Sequence, residues 1–148
     1  MNSTKFNEDF VKNLIRAKEG KRLDFKQKIT SKEKIAKTIS AFANTEGGII
    51  LIGVSDHQRI VGIDPEEEKF MVESANVEFC FPPASLAFHP VKWSQEIETP
   101  WDNEEDIYLL LVEVSPAGDS QIACKNKSGE LKVYQRIRDQ TIAISSSD

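Results

Sequence analysis

Cysteine and histidine are scarce in this chain, two of each among 148 residues. Cys80 and Cys124 lie far apart, with no C-x-x-C spacing and no histidine cluster nearby. That excludes an ordinary Cys/His zinc site and predicts free thiols in a reducing cytoplasm. His57 and His89 alone cannot build a His-rich metal centre. No apolar run approaches the roughly 20 residues that span a bilayer. The opening MNSTKFNEDFVKN lacks the apolar core of a secretory signal. A cytoplasmic protein without a membrane partner is therefore expected. The pattern GxxxxGK[ST] is also missing, which leaves no sequence mechanism for cradling the phosphates of ATP.

What is present fits one globular domain: 39% hydrophobic and 29% charged residues in a length that supports a real core. The net charge of −5 argues against a general nucleic-acid binder. Its distribution points elsewhere. Residues 1–38 hold eleven Lys and Arg against five Asp and Glu, whereas residues 46–113 hold three against fifteen. Basic groups thus gather at the N-terminal end, either as solvated helix faces or as an edge facing a polyanion.

Periodicity predicts the elements. Phe10, Leu14 and Ala17 share a helical face, with Asn7 as N-cap and Gly20 as stop. RLDFKQ (22–27) alternates as a half-buried strand with Asp24 and Lys26 outward. Thr30-x-x-Glu33 reads as a capping box opening a helix over about Ser31 to Asn44. Gly48 to Val54 is apolar on both faces and predicts a central strand. Ile60–Ile63 reads as a short strand pairing back, and Asp64-Pro65 opens a helix with three glutamates in its first turn. A proline-rich connector then leads to a strand near Leu86–Val91, with Phe79, Phe81 and Trp93 read as core or interface fillers. The acidic 94–106 segment predicts an exposed hairpin tip carrying Trp101. Ile107–Pro116 predicts an apolar strand, and 121–125 and 131–138 a hairpin turning at Gly129. The tail 145–148 is expected to fray. The sum is a single α/β domain, a mixed sheet packed with two or three helices.

The stretch SAFANTEGGIILIGVSD, Ser40 to Asp56, is more polar than a helix-to-strand turn requires. A helix stop accounts for a glycine, because Asn and Gly enter left-handed backbone readily and a Thr hydroxyl can tuck into the turn. It leaves unexplained why Asn44, Thr45 and Glu46 stand together before Gly47-Gly48.

That run, with Glu19 through Lys26 before it and Val61 through Ile63 after it, resembles the Schlafen/AlbA-type domain, once grouped as "divergent AAA". VYQRIRDQT (133–141) is a weaker echo of the same pattern. The resemblance implies an AlbA-like α/β fold over residues 1–148, with its core at about 8–143. It also implies a nucleic-acid-binding domain of the transcriptional-regulator type, DNA or RNA. Some Schlafen proteins cleave RNA with a Glu, Glu, Asp set, which by motif position falls on Glu19, Asp24 and Asp56. Asp24 departs from the pattern by one methylene. Three such carboxylates converging at one sheet edge would hold Mg²⁺ or Mn²⁺ and could activate water against a phosphodiester.

Lys21, Arg22, Lys26 and Lys28 bracket the carboxylate pair. Lys26 either contacts a phosphate or pairs with its neighbour Asp24. Asn44 and Thr45 would shape a loop that receives a nucleic-acid backbone. Tyr134, Arg136 and Arg138 on the last strand offer a phosphate contact beside a stacking aromatic, or are an ordinary exposed strand face. A third possibility is a protein-interaction module that forms a homodimer through an edge strand at Leu131–Ile137.

Overall fold

The two most apolar strands of the chain lie side by side at the centre of the first sheet. The structure, a computed structural model, describes residues 6–94 and 107–144. The acidic 95–106 segment with Trp101 and the tail 145–148 lie outside the described residues. Strand β2 (Gly48–Ile52) pairs antiparallel with β5 (Ile107–Val114), from Gly48 opposite Val114 to Ile52 opposite Leu110. β1 (Leu23–Lys26) runs parallel to β2 on one side, and β4 (Leu86–Trp93) antiparallel to β5 on the other. The first sheet is therefore mixed, in the order β1-β2-β5-β4.

Alternation divides the apolar side chains of this sheet between its two faces. Leu23, Phe25, Leu51, Leu109 and Leu111 share a buried cluster with Val11 of α1 (Glu8–Ala17). Ile50, Ile52, Leu110 and Val112 turn to the opposite side, into the cluster of α2 (Lys32–Ala43) and α3 (Pro65–Phe79). Helix α2 is buried at eight of its twelve residues, small ones such as Ala36, Ser40 and Ala43 included. A helix buried almost all round must be covered on both flanks. The second cover is a separate antiparallel sheet in the order β3-β6-β7-β8, made of Cys80–Phe81, Ala123–Lys125, Leu131–Ile137 and Gln140–Ala143. The expected α/β domain with three helices is present, but its strands divide between two sheets.

Several local expectations hold. Asn7 caps α1, accepting from Phe10 N, and Asp64 caps α3, accepting from Glu66 N and Glu67 N, with Pro65 in the first turn. Others are corrected. Ser31, not Thr30, caps α2, its side chain accepting from Lys34 N. Ile60–Ile63 makes one bridge, Val54 with Ile60, while Ile63 N donates to Tyr108 O instead of extending a ladder. Phe81 is 44% exposed and is not a core filler. Leu131–Ile137 is no edge: it pairs with β6 and with β8. No helix among the described residues is long and apolar enough to cross a membrane.

Candidate functional site

Strand β1 borders the first sheet, so its residues meet whatever approaches from the open side. Asp24, expected to face outward, points inward and is 4% exposed. The reversal comes from the far end of the chain. Arg136, on β7, reaches over the aromatic ring of Phe42, 4.8 Å from its centroid, and places Nη2 2.8 Å from Asp24 Oδ1. The guanidinium also donates to the carbonyls of Gly20 (3.0 Å) and Leu23 (3.3 Å) and to the Thr141 hydroxyl (3.3 Å). Arg136 is thus a buried clamp between the two sheets, and the expectation of an exposed phosphate contact is corrected. Tyr134 on the same inward face is also buried, with Lys37 Nζ 5.7 Å from its ring. Arg138 alone of the three is exposed, in the β7–β8 turn at φ 57°.

The polar run after α2 has a structural role as well. Asn44 accepts from Ile122 N (2.7 Å) and donates to the carbonyls of Ile122 and Tyr134 (both 2.9 Å). Thr45 donates to Ala41 O (2.8 Å) and accepts from Arg136 N (2.9 Å). Both side chains are spent on binding the helix end to the second sheet, which leaves them no free hydrogen-bonding atom for a nucleic-acid backbone. Glu46 pairs with Lys21 (3.0 Å) and Arg22 (2.7 Å) at the surface. Gly47 sits at φ +75°, where a Cβ would meet Val114 O at 2.6 Å. A Cβ on Gly48 would meet Arg22 O at 2.9 Å, so both glycines are required by close backbone approach.

Glu19 and Asp24 lie together. Glu19 Oε2 accepts from Phe25 N at 3.3 Å on the open edge of β1. Burial, then the hydrogen bond and charge of Asp24, push Glu19 up to about 7. Burial opposes the charge on Asp24 most strongly. The proton of Glu19 and the charges of Lys26 and Arg136 outweigh it, holding Asp24 below the ordinary carboxylate range. Lys26 Nζ lies 3.1 Å from Asp24 Oδ2, an ion pair that leaves Oδ2 without an aligned hydrogen bond. Asp56 is not in this group. It lies beyond β2 in an exposed turn, whereas Asp24 is in register with Ile50 in the middle of that strand. Among the described residues no three His, Cys, Asp or Glu side chains are grouped to hold a metal ion.

Protonated Glu19 in the folded state fixes a pH dependence. Between the unfolded value of 4.5 and the folded value of about 7 the native protein binds more protons, so stability falls as pH rises through that interval. The depressed Asp24 acts in the opposite sense and only on acidification towards and below 3.8. Urea midpoints should therefore decline from pH 5 to pH 8, and Glu19→Gln, which keeps a donor and loses the titration, should flatten the decline. Equal slopes in both proteins would show that Glu19 does not hold this proton.

On the far side of Lys26 is a shallow recess of about 120 Å³, lined by Lys26, Lys28, Thr30, Ser31 and Lys34. Glu68 of α3, 1% exposed, fixes its floor by accepting from Ile29 N at 2.7 Å. Among the described residues Lys28 and Lys34 have no carboxylate partner, so their charge faces solvent uncompensated. Lys34 and Glu68 were absent from the sequence-based site. The helical position of Lys34 gave no hint, and Glu68 reads as one of three exposed glutamates.

The profile of a family described as Schlafen, AlbA_2 matches residues 19–145. No curated protein matches. Among solved structures, the DIP2311 protein from Corynebacterium diphtheriae is similar at 15% identity and a TM-score of 0.49, over 90% of this chain and 25% of that one. This chain therefore spans about a quarter of that protein's length.

Proposed function

Because the chain belongs to the Schlafen AlbA_2 family, we propose that it binds nucleic acid by the phosphate backbone, seated at Lys26, Lys28 and Lys34. The observation that carries this is the recess lined by three lysines, two of them without an acidic partner among the described residues. Lysines held near one another repel, and an anion relieves that repulsion. Arg138, Lys21 and Arg22 are further exposed cations, the last two released from Glu46 at little cost because exposed pairs are weak. Contacts to phosphate position a strand without reading its sequence, so DNA and RNA should both bind. The placement of Asp56 away from Glu19 and Asp24 supports binding over hydrolysis.

Fluorescence anisotropy with labelled single-stranded and duplex DNA and RNA, titrated with salt, tests this. Each lysine–phosphate contact contributes about one unit to the slope of log affinity against log salt. Lys28→Gln/Lys34→Gln should weaken binding to all sequences alike and make the slope shallower by about two units. Lys26 is left intact because it pairs with Asp24. No binding at micromolar protein in low salt, or an unchanged slope in the double variant, would rule the proposal out.

A further inference from the structure

Cys80 and Cys124, distant in sequence, are direct cross-strand partners. β3 and β6 are antiparallel, with Cys80 opposite Cys124 and Phe81 opposite Ala123. Directly opposed residues in such a pair have Cα atoms about 4.5 to 5.5 Å apart, inside the range of about 4.4 to 6.8 Å that a disulfide needs. Both side chains point into the core beneath α2, at 0% and 1% exposure, so they share one face of the sheet. The Cys80 thiol donates to Ala36 O at 3.6 Å and the Cys124 thiol to Lys125 O at 3.9 Å.

We propose that Cys80 and Cys124 are an oxidisable pair, a modification site that a peroxide closes into a disulfide. The neighbouring Cys80 thiol, with the charge of Lys37 assisting, holds Cys124 below the ordinary thiol range, while the neighbouring Cys124 and burial raise Cys80. In this proposal Cys124, which has the Lys37 charge nearby, takes the attacking role. Its sulfur takes one oxygen of hydrogen peroxide, giving a sulfenic acid and hydroxide. The Cys80 sulfur then attacks the Cys124 sulfur and expels a second hydroxide. The Cys80 proton and the proton first lost by Cys124 convert the two hydroxides to water, so two thiols and one peroxide yield one disulfide and two waters. Access comes through β3, which has two residues, stands at the sheet edge and is followed by Pro82-Pro83, which cannot donate to a ladder. So short a ladder opens more readily than the strands behind it.

Closing a loop of about 45 residues should raise the melting temperature by about 10 °C. The test treats the reduced, folded chain with hydrogen peroxide, then alkylates it in denaturant and maps the peptides. Expected are the joint loss of both thiols, a Cys80–Cys124 linked peptide, the higher melting temperature, and reversal of all three by dithiothreitol. Cys80→Ser, or Cys80→Ala if the serine variant does not fold, should carry Cys124 on to sulfinic and sulfonic acid with no gain in melting temperature. Two fully alkylatable thiols after peroxide, linkage between separate molecules, or over-oxidation of the wild type without the internal link would each overturn the proposal.

Discussion

Arg136→Met is expected to lower folding stability by about 3–5 kcal/mol, as measured by urea unfolding at pH 7. The substitution keeps most of the apolar stem over Phe42 and deletes the charge. It strands Asp24, whose side chain is 5% exposed, with only Lys26 as a counter-ion. The carbonyls of Gly20 and Leu23 lose a donor at the same time. Breaking one partner of a buried pair is far costlier than never having the pair. Asp24→Leu/Arg136→Met should therefore lose much less than the sum of the two single changes, a coupling that a double-mutant cycle reads directly. Arg136→Lys should fall between, since one ammonium cannot serve the carboxylate and two carbonyls that the fork reaches. A loss below about 1 kcal/mol for Arg136→Met would mean that water replaces the guanidinium freely and the clamp is not structural.

What was legible in the sequence depended on whether a residue's environment came from its neighbours in the chain. β2 and β5 are recognisable from their apolar runs because a strand covered on both faces needs no polar alternation. Asp64-Pro65 marks the start of α3 because capping is a local hydrogen bond. The order FANTEGG marks a helix end followed by a strand, and its resemblance to a known family implies the α/β fold class. Asp24 was misread for the opposite reason. Leu23-Asp24-Phe25-Lys26 alternates as a strand with one wet face, yet that face is dried by an arginine 112 positions away. Tyr134 and Arg136 were likewise assigned to solvent, because nothing near them in sequence announces that α2 lies beneath. The division into two sheets was hidden too, since alternation gives the face of a strand and never its neighbour. Of the candidate site, Glu19 and Asp24 were reached through the family resemblance and the N-terminal lysines through the distribution of charge. The recess could not, because Glu68, which shapes it, reads as helix-dipole chemistry.

The same distinction explains Asn44, whose substitution should have the second largest effect. Its amide fills three hydrogen bonds to the second sheet, accepting from Ile122 N and donating to the carbonyls of Ile122 and Tyr134. Asn44→Ala leaves one donor and two acceptors short in a half-buried joint, and about 2–3 kcal/mol of stability should go. Asn44→Asp separates this bracing role from a surface role. The carboxylate keeps the bond from Ile122 N but turns a second oxygen towards two carbonyl oxygens. The acid is then favoured only when protonated, so its folded pKa must lie above the unfolded value of about 3.9. Its contribution is present below that value and is lost as pH rises through the folded pKa. At pH 7 Asn44→Asp should be less stable than Asn44→Ala, and the gap should narrow or invert on acidification towards pH 4. Chemical unfolding of both variants at the two pH values decides it. If Asn44→Asp matches wild type at pH 7, the amide is not the brace between helix and sheet. Asn44 would then be free for the phosphate-contacting role that its position in the glycine-rich turn first suggested.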